Sequence, residues 1–294
     1  MQFRKPLFAV AAVAALAAPA AIAHRMWLLP SSTVVSGTDN WVTVDAAVSN
    51  ELFYFDHRPL GVIPAITQPD GTEGKAEHHN VGQFRATFDV HLTQQGTYRI
   101  AVVNQGVFGR YTLNGETKMI PRGTTKAQLA SVIPAGATDV QTSETLARNE
   151  IFVTQGAPTN TVFKPTGQGI ELVPVTHPND LVSNEPATFQ FLMDGKPAAG
   201  LYVTTILGNG RYRAAQKQID LRTDAAGKVT IKWPDAGMYW INVTPTAPQP
   251  EGEGPRPQMQ GGEGRPGAGG PQGMVGVPSG RRVSYTTTLE VLAP

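Results

Sequence analysis

Six histidines are the side chains in this sequence best suited to chemistry, and they are His24, His57, His78, His79, His91 and His177. Imidazole nitrogens bind borderline and soft cations such as Ni, Co, Cu and Zn. The chain contains no Cys, so thiolate ligands and disulfides are excluded. A transition-metal site built from imidazoles is therefore the first hypothesis, although a single His is more often a structural residue.

The first 23 residues have the pattern of a secretory signal peptide. A basic start and an apolar run over residues 7–18 precede the small-residue cleavage motif at residues 21–23. Cleavage after Ala23 makes His24 the first residue, where an amino nitrogen and an imidazole nitrogen can chelate one cation; cleavage after Ala21 would remove this chelate. The apolar run is shorter than the ~20 residues of a membrane span. We expect a periplasmic protein whose mature chain has no membrane span.

Composition and patterning predict an all-β fold. The chain has 31 Gly and 24 Pro with 40% hydrophobic residues, which suits short strands and turns better than a helical bundle. A formal charge of +1 gives no electrostatic case for nucleic acid as a partner. Alternating runs predict antiparallel β-sandwiches in two domains, at residues 24–166 and 167–294, with one short helix at 124–133. The Gly- and Pro-rich residues 245–282 are predicted to be a disordered insertion in the second domain.

Strand topology indicates which histidines meet. If residues 25–30 pair antiparallel with residues 41–48, the second strand ends level with His24. The loop that follows then begins beside the mature N-terminus, which makes His57 the second ligand. Asp56 or Glu51 could supply an oxygen or orient the ring.

The next hairpin brings back residues 73–79 and is expected to place His78 and His79 at the same rim. Adjacent residues point to opposite faces of a strand, so only one of the two serves as a third ligand unless the hairpin bulges. His91 is predicted to lie at the opposite end, and His177 lies beyond the domain boundary and joins the site only if the domain junction brings it near.

Six segments of the sequence resemble a bacterial exported family, and they are residues 24–31 (HRMWLLPS), 50–60 (NELFYFDHRPL), 133–140 (IPAGATDV), 169–181 (GIELVPVTHPNDL), 191–200 (FLMDGKPAAG) and 233–240 (WPDAGMYW). That family is a domain of unknown function described as the periplasmic component of cobalt/nickel (ABC-type) uptake systems, nickel uptake substrate-specific region. The resemblance implies metal handling at the cell envelope and tandem immunoglobulin- or transthyretin-like domains. It matches His24 to the family's post-signal His, His57 to its Phe-Asp-His segment and His177 to its Thr-His-Pro-Asn segment.

Three functions are compatible with these features. The leading hypothesis is a non-enzymatic periplasmic protein that binds Ni or Co, with Cu and Zn open, and exchanges the ion with a separate inner-membrane permease or outer-membrane receptor. A second hypothesis is a copper oxidase or oxygenase, because an amine and two imidazoles form a histidine brace. A third is a structural or adhesive envelope module that binds no metal.

Overall fold

The computed structural model describes residues 25–57, 59–247 and 280–294. His24 and most of the Gly- and Pro-rich insertion lie outside these residues. The described chain is built of short and long strands that pair almost entirely antiparallel, which confirms the all-β prediction.

The described residues of the first half form ten strands and one short helix. They are β1 (Arg25–Pro30), β2 (Val34–Val35), β3 (Asn40–Ser49), β4 (Ala65–Thr67), β5 (Glu73–Gly74), β6 (Glu77–Val81), β7 (Ala86–Leu92), β8 (Gly96–Leu113), β9 (Glu116–Met119), α1 (Leu129–Val132) and β10 (Thr138–Gln155). The helix forms where the sequence predicts one, but a 3-10 turn at Lys126–Gln128 takes its first part.

The second half adds eight strands. They are β11 (Ile170–Pro174), β12 (Pro186–Met193), β13 (Lys196–Pro197), β14 (Tyr202–Leu207), β15 (Gln218–Arg222), β16 (Lys228–Lys232), β17 (Gly237–Thr244) and β18 (Gly280–Val291). Two further 3-10 turns lie at Thr161–Phe163 and Gly210–Tyr212.

Three sheets organise these strands. One outer sheet has the order β1-β3-β7-β6, and the other has the order β11-β12-β13 with β16 also on β12. The third sheet has the order β15-β14-β17-β18-β10-β8-β4-β5, with β2 on β10 and β9 on β8. This ten-stranded sheet contains strands from both halves of the chain.

Strand β10 lies between two hydrophobic cores. Ile151 and Val153 point into the core beneath the first outer sheet, whereas Leu146 and Phe152 point into the core beneath the second. Because alternate residues of a strand face opposite sides of a sheet, the two outer sheets pack on opposite faces of the shared sheet. Because both faces of β10 are buried, its sequence lacks the alternation of apolar and polar residues that predicts a half-buried strand.

The two halves of the chain are joined by strand pairing and by packing in the second core. Strand β18, near the C-terminus, pairs in parallel with β10 from Gly280 to Thr287. Val162 and Phe163, which precede the predicted domain boundary at residue 167, are buried in the second core. Contacts between the halves are therefore part of the fold and can form a site.

The pairing of β1 with β3 positions the predicted metal site. The register runs from Arg25 opposite Ser49 to Pro30 opposite Val44. The expected antiparallel pairing is confirmed, so the loop after Ser49 begins beside the first described residue.

Candidate functional site

Aromatic packing holds the loop that follows β3. Trp27 contacts the rings of Phe53 and Phe55 at centroid distances of 5.5 and 5.4 Å, and its indole N–H donates to Ser49 Oγ at 2.7 Å. Phe53 has a φ of +62° and lies against Gly208, where a Cβ would come within 2.5 Å of its ring. The absence of a side chain at Gly208 therefore lets the loop rest on the second half of the chain.

Asp56 and His57 form a carboxylate–imidazole pair at the end of this loop. Asp56 Oδ1 lies 3.0 Å from His57 Nδ1 and accepts a hydrogen bond of 3.2 Å from the backbone N–H of Asn50. The His57 side chain is 30% exposed. A carboxylate on one ring nitrogen fixes the tautomer and orientation of an imidazole, which is the usual support of a metal-binding His.

The start of β1 lies next to this pair. Arg25 Nη1 donates to the backbone oxygen of Asn50 at 3.0 Å, and Asn50 in turn binds Asp56. His24 precedes Arg25 in the chain, and its own position lies outside the described residues. The structure thus brings Asp56 and His57 to the end of β1 at which the mature N-terminus is predicted.

His78 and His79 sit in a β-bulge. Glu77 pairs with Asp89 and Asn80 pairs with Thr87, so the two histidines face the single residue between Asp89 and Thr87. His78 has a φ of +49°, and its Nδ1 lies 2.9 Å from Asp89 Oδ2. The bulge turns His78 to the outer face of the sheet. His79 Nε2 is buried without a hydrogen-bond partner among the described residues.

The prediction that His78 and His79 share a rim with His57 is wrong. The bulge faces Phe88, which pairs with Val44, and Val44 pairs with Pro30 at the far end of β1. Five residues of strand, about 17 Å at ~3.4 Å per residue, separate that level from Arg25. The topological count failed because the bulge takes up one residue and β6 continues to Val81, which is level with Ala46, so the two histidines stop short of that rim.

His78 belongs instead to a cluster with His91. Trp41 is 46% exposed and stacks on the ring of His91 at 4.2 Å, with the ring of His78 at 5.6 Å. His91 Nε2 also contacts Asp39. Among the residues that the structure describes, no group of three or more His, Asp or Glu is arranged to hold a metal ion. Any site with three ligands at Asp56 and His57 therefore needs a donor from outside the described ranges.

Internal hydrogen bonds engage both ring nitrogens of His177. Its Nδ1 accepts from the backbone N–H of Asn179 at 3.1 Å, so the proton lies on Nε2, which faces Thr97 Oγ1 at 3.1 Å and the Thr159 oxygen at 3.3 Å. Burial lowers the pKa of His177, against the opposing effects of the Thr159 hydrogen bond and the charge of Asp180. These contacts give His177 a structural role between the two halves.

A pocket that the sequence analysis missed lies next to the loop that carries Asp56 and His57. It encloses about 300 Å³ and is lined by Arg25, Asn50, Glu51, Gly210, Arg213, Ala214, Ala215 and Gln216. We call it the Arg25 pocket. Its two walls come from opposite halves of the chain, so no local motif could have shown it. The one sequence signal was a charged residue, Arg25, at the start of an apolar strand.

Comparisons with known proteins place the chain in a family. No curated protein matches it. A DUF4785 family protein from Legionella pneumophila shares 9% identity over 74% of this chain and 50% of its own, with a TM-score of 0.23, so this chain spans about half of that structure. The D0-D1 domain of intimin shares 12% identity over 90% of this chain and 97% of its own, with a TM-score of 0.19. The human OSCAR ligand-binding domain shares 13% identity over 76% of this chain and 93% of its own, with a TM-score of 0.17.

TM-scores this low carry no inference about binding or activity. In the described part of the chain, no helix has the length and apolar character needed to cross a membrane. The family profile described as Domain of unknown function (DUF4198) matches residues 21–246, which is more than half of the chain, and the protein therefore belongs to that family.

Proposed function

We propose that this protein is a non-enzymatic periplasmic carrier of a transition-metal ion, with Ni or Co as the first candidates and Cu or Zn as the others. His24 and His57 bind the ion, and Asp56 orients His57 or adds an oxygen ligand. The protein exchanges its cargo with a separate inner-membrane permease or outer-membrane receptor.

One observation carries this proposal. The hydrogen bonds from Arg25 to Asn50 and from Asn50 to Asp56 hold the carboxylate–imidazole pair at the start of β1. Signal cleavage after Ala23 would add the amino group and the imidazole of His24 at the same end. This combination gives two imidazoles and an amine, a donor set that suits Ni, Co, Cu and Zn.

The remaining histidines fit this site less well. His78 and His91 lie with Trp41 at the other end of the first outer sheet, and His177 is committed to its own hydrogen bonds. His79 shares the bulge with His78. The proposal therefore uses only His24 and His57 among the six histidines.

The test is metal titration of the exported protein. The precursor is expressed with its signal peptide, the mature N-terminus is established by intact mass, and the protein is titrated with Ni, Co, Cu and Zn in a calorimeter. We expect sub-micromolar one-to-one binding of at least one ion, weakened about tenfold or more by His57→Ala. His91→Ala is the matched control, because that histidine is also paired with a carboxylate but lies elsewhere, and it should leave the affinity unchanged.

A second variant tests the N-terminal chelate separately. Retaining one extra residue before His24 keeps both imidazoles but moves the amino group, so it should also lower affinity. Equal affinity in wild type and His57→Ala would refute the site. Equal affinity in the extended variant would remove only the amino ligand.

A further inference from the structure

The Arg25 pocket joins the two halves of the chain next to the proposed metal site. Asn50 and Glu51 of the loop after β3 form one wall, and the segment from Gly210 to Gln216 forms the other. Asn50 also binds Asp56 through its backbone N–H, so this wall of the pocket touches the carboxylate that holds His57. A volume of about 300 Å³ suits a small organic molecule.

The pocket is lined by more positive than negative charge. Arg25 is only 7% exposed, and its guanidinium lies 5.9 Å from the ring centre of Trp240. Arg213 brings a second guanidinium, fixed by a 2.7 Å hydrogen bond to the Leu207 oxygen. Among the described residues of the lining, Glu51 is the one acidic residue, so two positive groups face one negative group. This balance favours an anionic ligand.

Gln216 shows which kind of acceptor the Arg25 guanidinium binds. With its amide oxygen turned towards the guanidinium, Gln216 accepts from Nη1 at 2.9 Å and from Nη2 at 3.1 Å. Such a two-donor contact matches a carboxylate, which binds arginine in the same plane and more strongly than a neutral amide does. An organic acid can therefore replace the amide at this position.

The same charges weaken, without preventing, the binding of a bare metal ion at His57. Guanidinium groups beside a cation site repel a divalent ion. An anion that contacts both the guanidinium groups and the ion offsets this repulsion. We propose that the Arg25 pocket binds a small organic carboxylate that travels with the metal as its anionic ligand. The carrying of the metal rests on the proposed function, whereas the binding of the acid rests on the pocket alone.

The test uses citrate as the probe, titrated without metal into the mature protein at low salt. Arg213→Gln should weaken citrate binding about tenfold, because it removes a charged hydrogen-bond donor from the wall. Gln216→Glu should abolish citrate binding, since the new carboxylate occupies the Arg25 guanidinium, and thermal unfolding shows whether that variant is folded. Arg211→Gln is the matched control: Arg211 lies 4.3 Å over the Tyr54 ring, outside the pocket lining, and its loss should change affinity less than about twofold.

Three results would overturn the inference. They are no citrate binding at millimolar concentration, equal losses in the Arg211 and Arg213 variants, and inorganic phosphate binding as tightly as citrate. The two proposals fail separately. If His57→Ala keeps citrate binding and no variant binds metal, the carrier function is wrong and the pocket stands; if metal binds but citrate does not, the pocket assignment is wrong.

Discussion

The contact between the two halves has one end at His177, which we call the closed end because both ring nitrogens of this histidine are hydrogen-bonded within the fold, and another at His57, which we call the open end. At the closed end, Thr97 donates to Thr154, Thr154 donates to Asn179, and Asn179 donates both to His177 Nδ1 and to the Phe152 oxygen. At the open end, Asp56 and His57 lie beside a pocket lined by two arginines. Both histidines lie in segments that resemble the family. His177 borders a pocket of about 600 Å³, but both of its ring nitrogens are hydrogen-bonded within the fold, whereas Nδ1 of His57 pairs with the carboxylate of Asp56.

The hydrogen bonds of a histidine therefore indicate its role, structural or ligand-binding, better than its sequence motif does. A histidine whose two nitrogens are both used inside the fold stabilises the fold, because any ligand must first break those bonds. A histidine oriented by a carboxylate at the surface is prepared for a ligand. This difference should appear in both stability and binding.

The largest expected effect lies in a buried ion cluster on the same contact. Arg148 lies 3.5 Å from Glu150 and 3.6 Å from Glu171, and all three side chains are buried. Arg148→Met should lower the free energy of unfolding by about 3–5 kcal/mol, because two carboxylates lose their buried counter-charge. Urea unfolding measures this loss. Lys118→Met, at an exposed ion pair, should change it by less than about 0.5 kcal/mol and is the control. A loss below about 1 kcal/mol in the Arg148 variant would show that the halves do not depend on this cluster.

The next effect separates the two histidines. His177→Ala leaves the Asn179 N–H without an acceptor and removes packing against Phe163, so it should cost about 2–3 kcal/mol. His57→Ala, at a partly exposed site, should cost less than about 1 kcal/mol. Metal affinity should show the reverse order. If both variants lose stability equally, or if His177→Ala alone loses metal, the distinction between the two ends is wrong.

The pH dependence of stability gives a smaller and more specific effect. Because burial lowers the pKa of His177, the unfolded chain binds more protons than the folded chain below pH about 6.5, the ordinary value for His. The free energy of unfolding should therefore fall as the pH drops from about 6.5 towards the lower folded-state pKa. Burial raises the pKa of Glu150, which has the opposite effect on stability, but this contribution is common to wild type and variant.

Urea unfolding at pH 7.5 and 5.5 in wild type and His177→Gln isolates the histidine. The variant should lose less stability on acidification than wild type. An identical loss in both proteins would mean that His177 titrates in the folded state as it does in the unfolded state.

The sequence predicted the parts of this structure that depend on local pattern. Residues 25–30 and 41–48 were expected to pair as antiparallel strands, and they lie in β1 and β3, which pair in that way. The Asp56 and His57 loop was placed correctly because a single antiparallel pairing fixes its position. The predicted insertion at 245–282 lies largely outside the described residues, and its disorder stays a prediction.

Features that depend on distant contacts were not predictable. Residues 148–155 are buried on both faces, so β10 shows no alternation, and its pairing with β18 joins residues more than 130 positions apart. The Arg25 pocket likewise needs Arg213 and Gln216 from the other half of the chain. The bulge at His78 and His79 depends on a left-handed backbone at a non-glycine residue, which propensity disfavours.

The smallest expected effect concerns the cluster of Trp41, His78 and His91. It tests whether this cluster stabilises the fold, as the residues around His177 do, or is only an exposed surface. Asp89 binds both His78 and Thr43 through its carboxylate, but these contacts are solvent-exposed. Asp89→Asn should therefore change the free energy of unfolding by less than about 0.5 kcal/mol, since exposed ion pairs contribute little. Metal affinity should also stay unchanged, because the cluster lies at the opposite end of the outer sheet from His57. A loss of metal affinity in Asp89→Asn would move the binding site to His78 and His91, and it would show that the bulge rather than the start of β1 holds the ion.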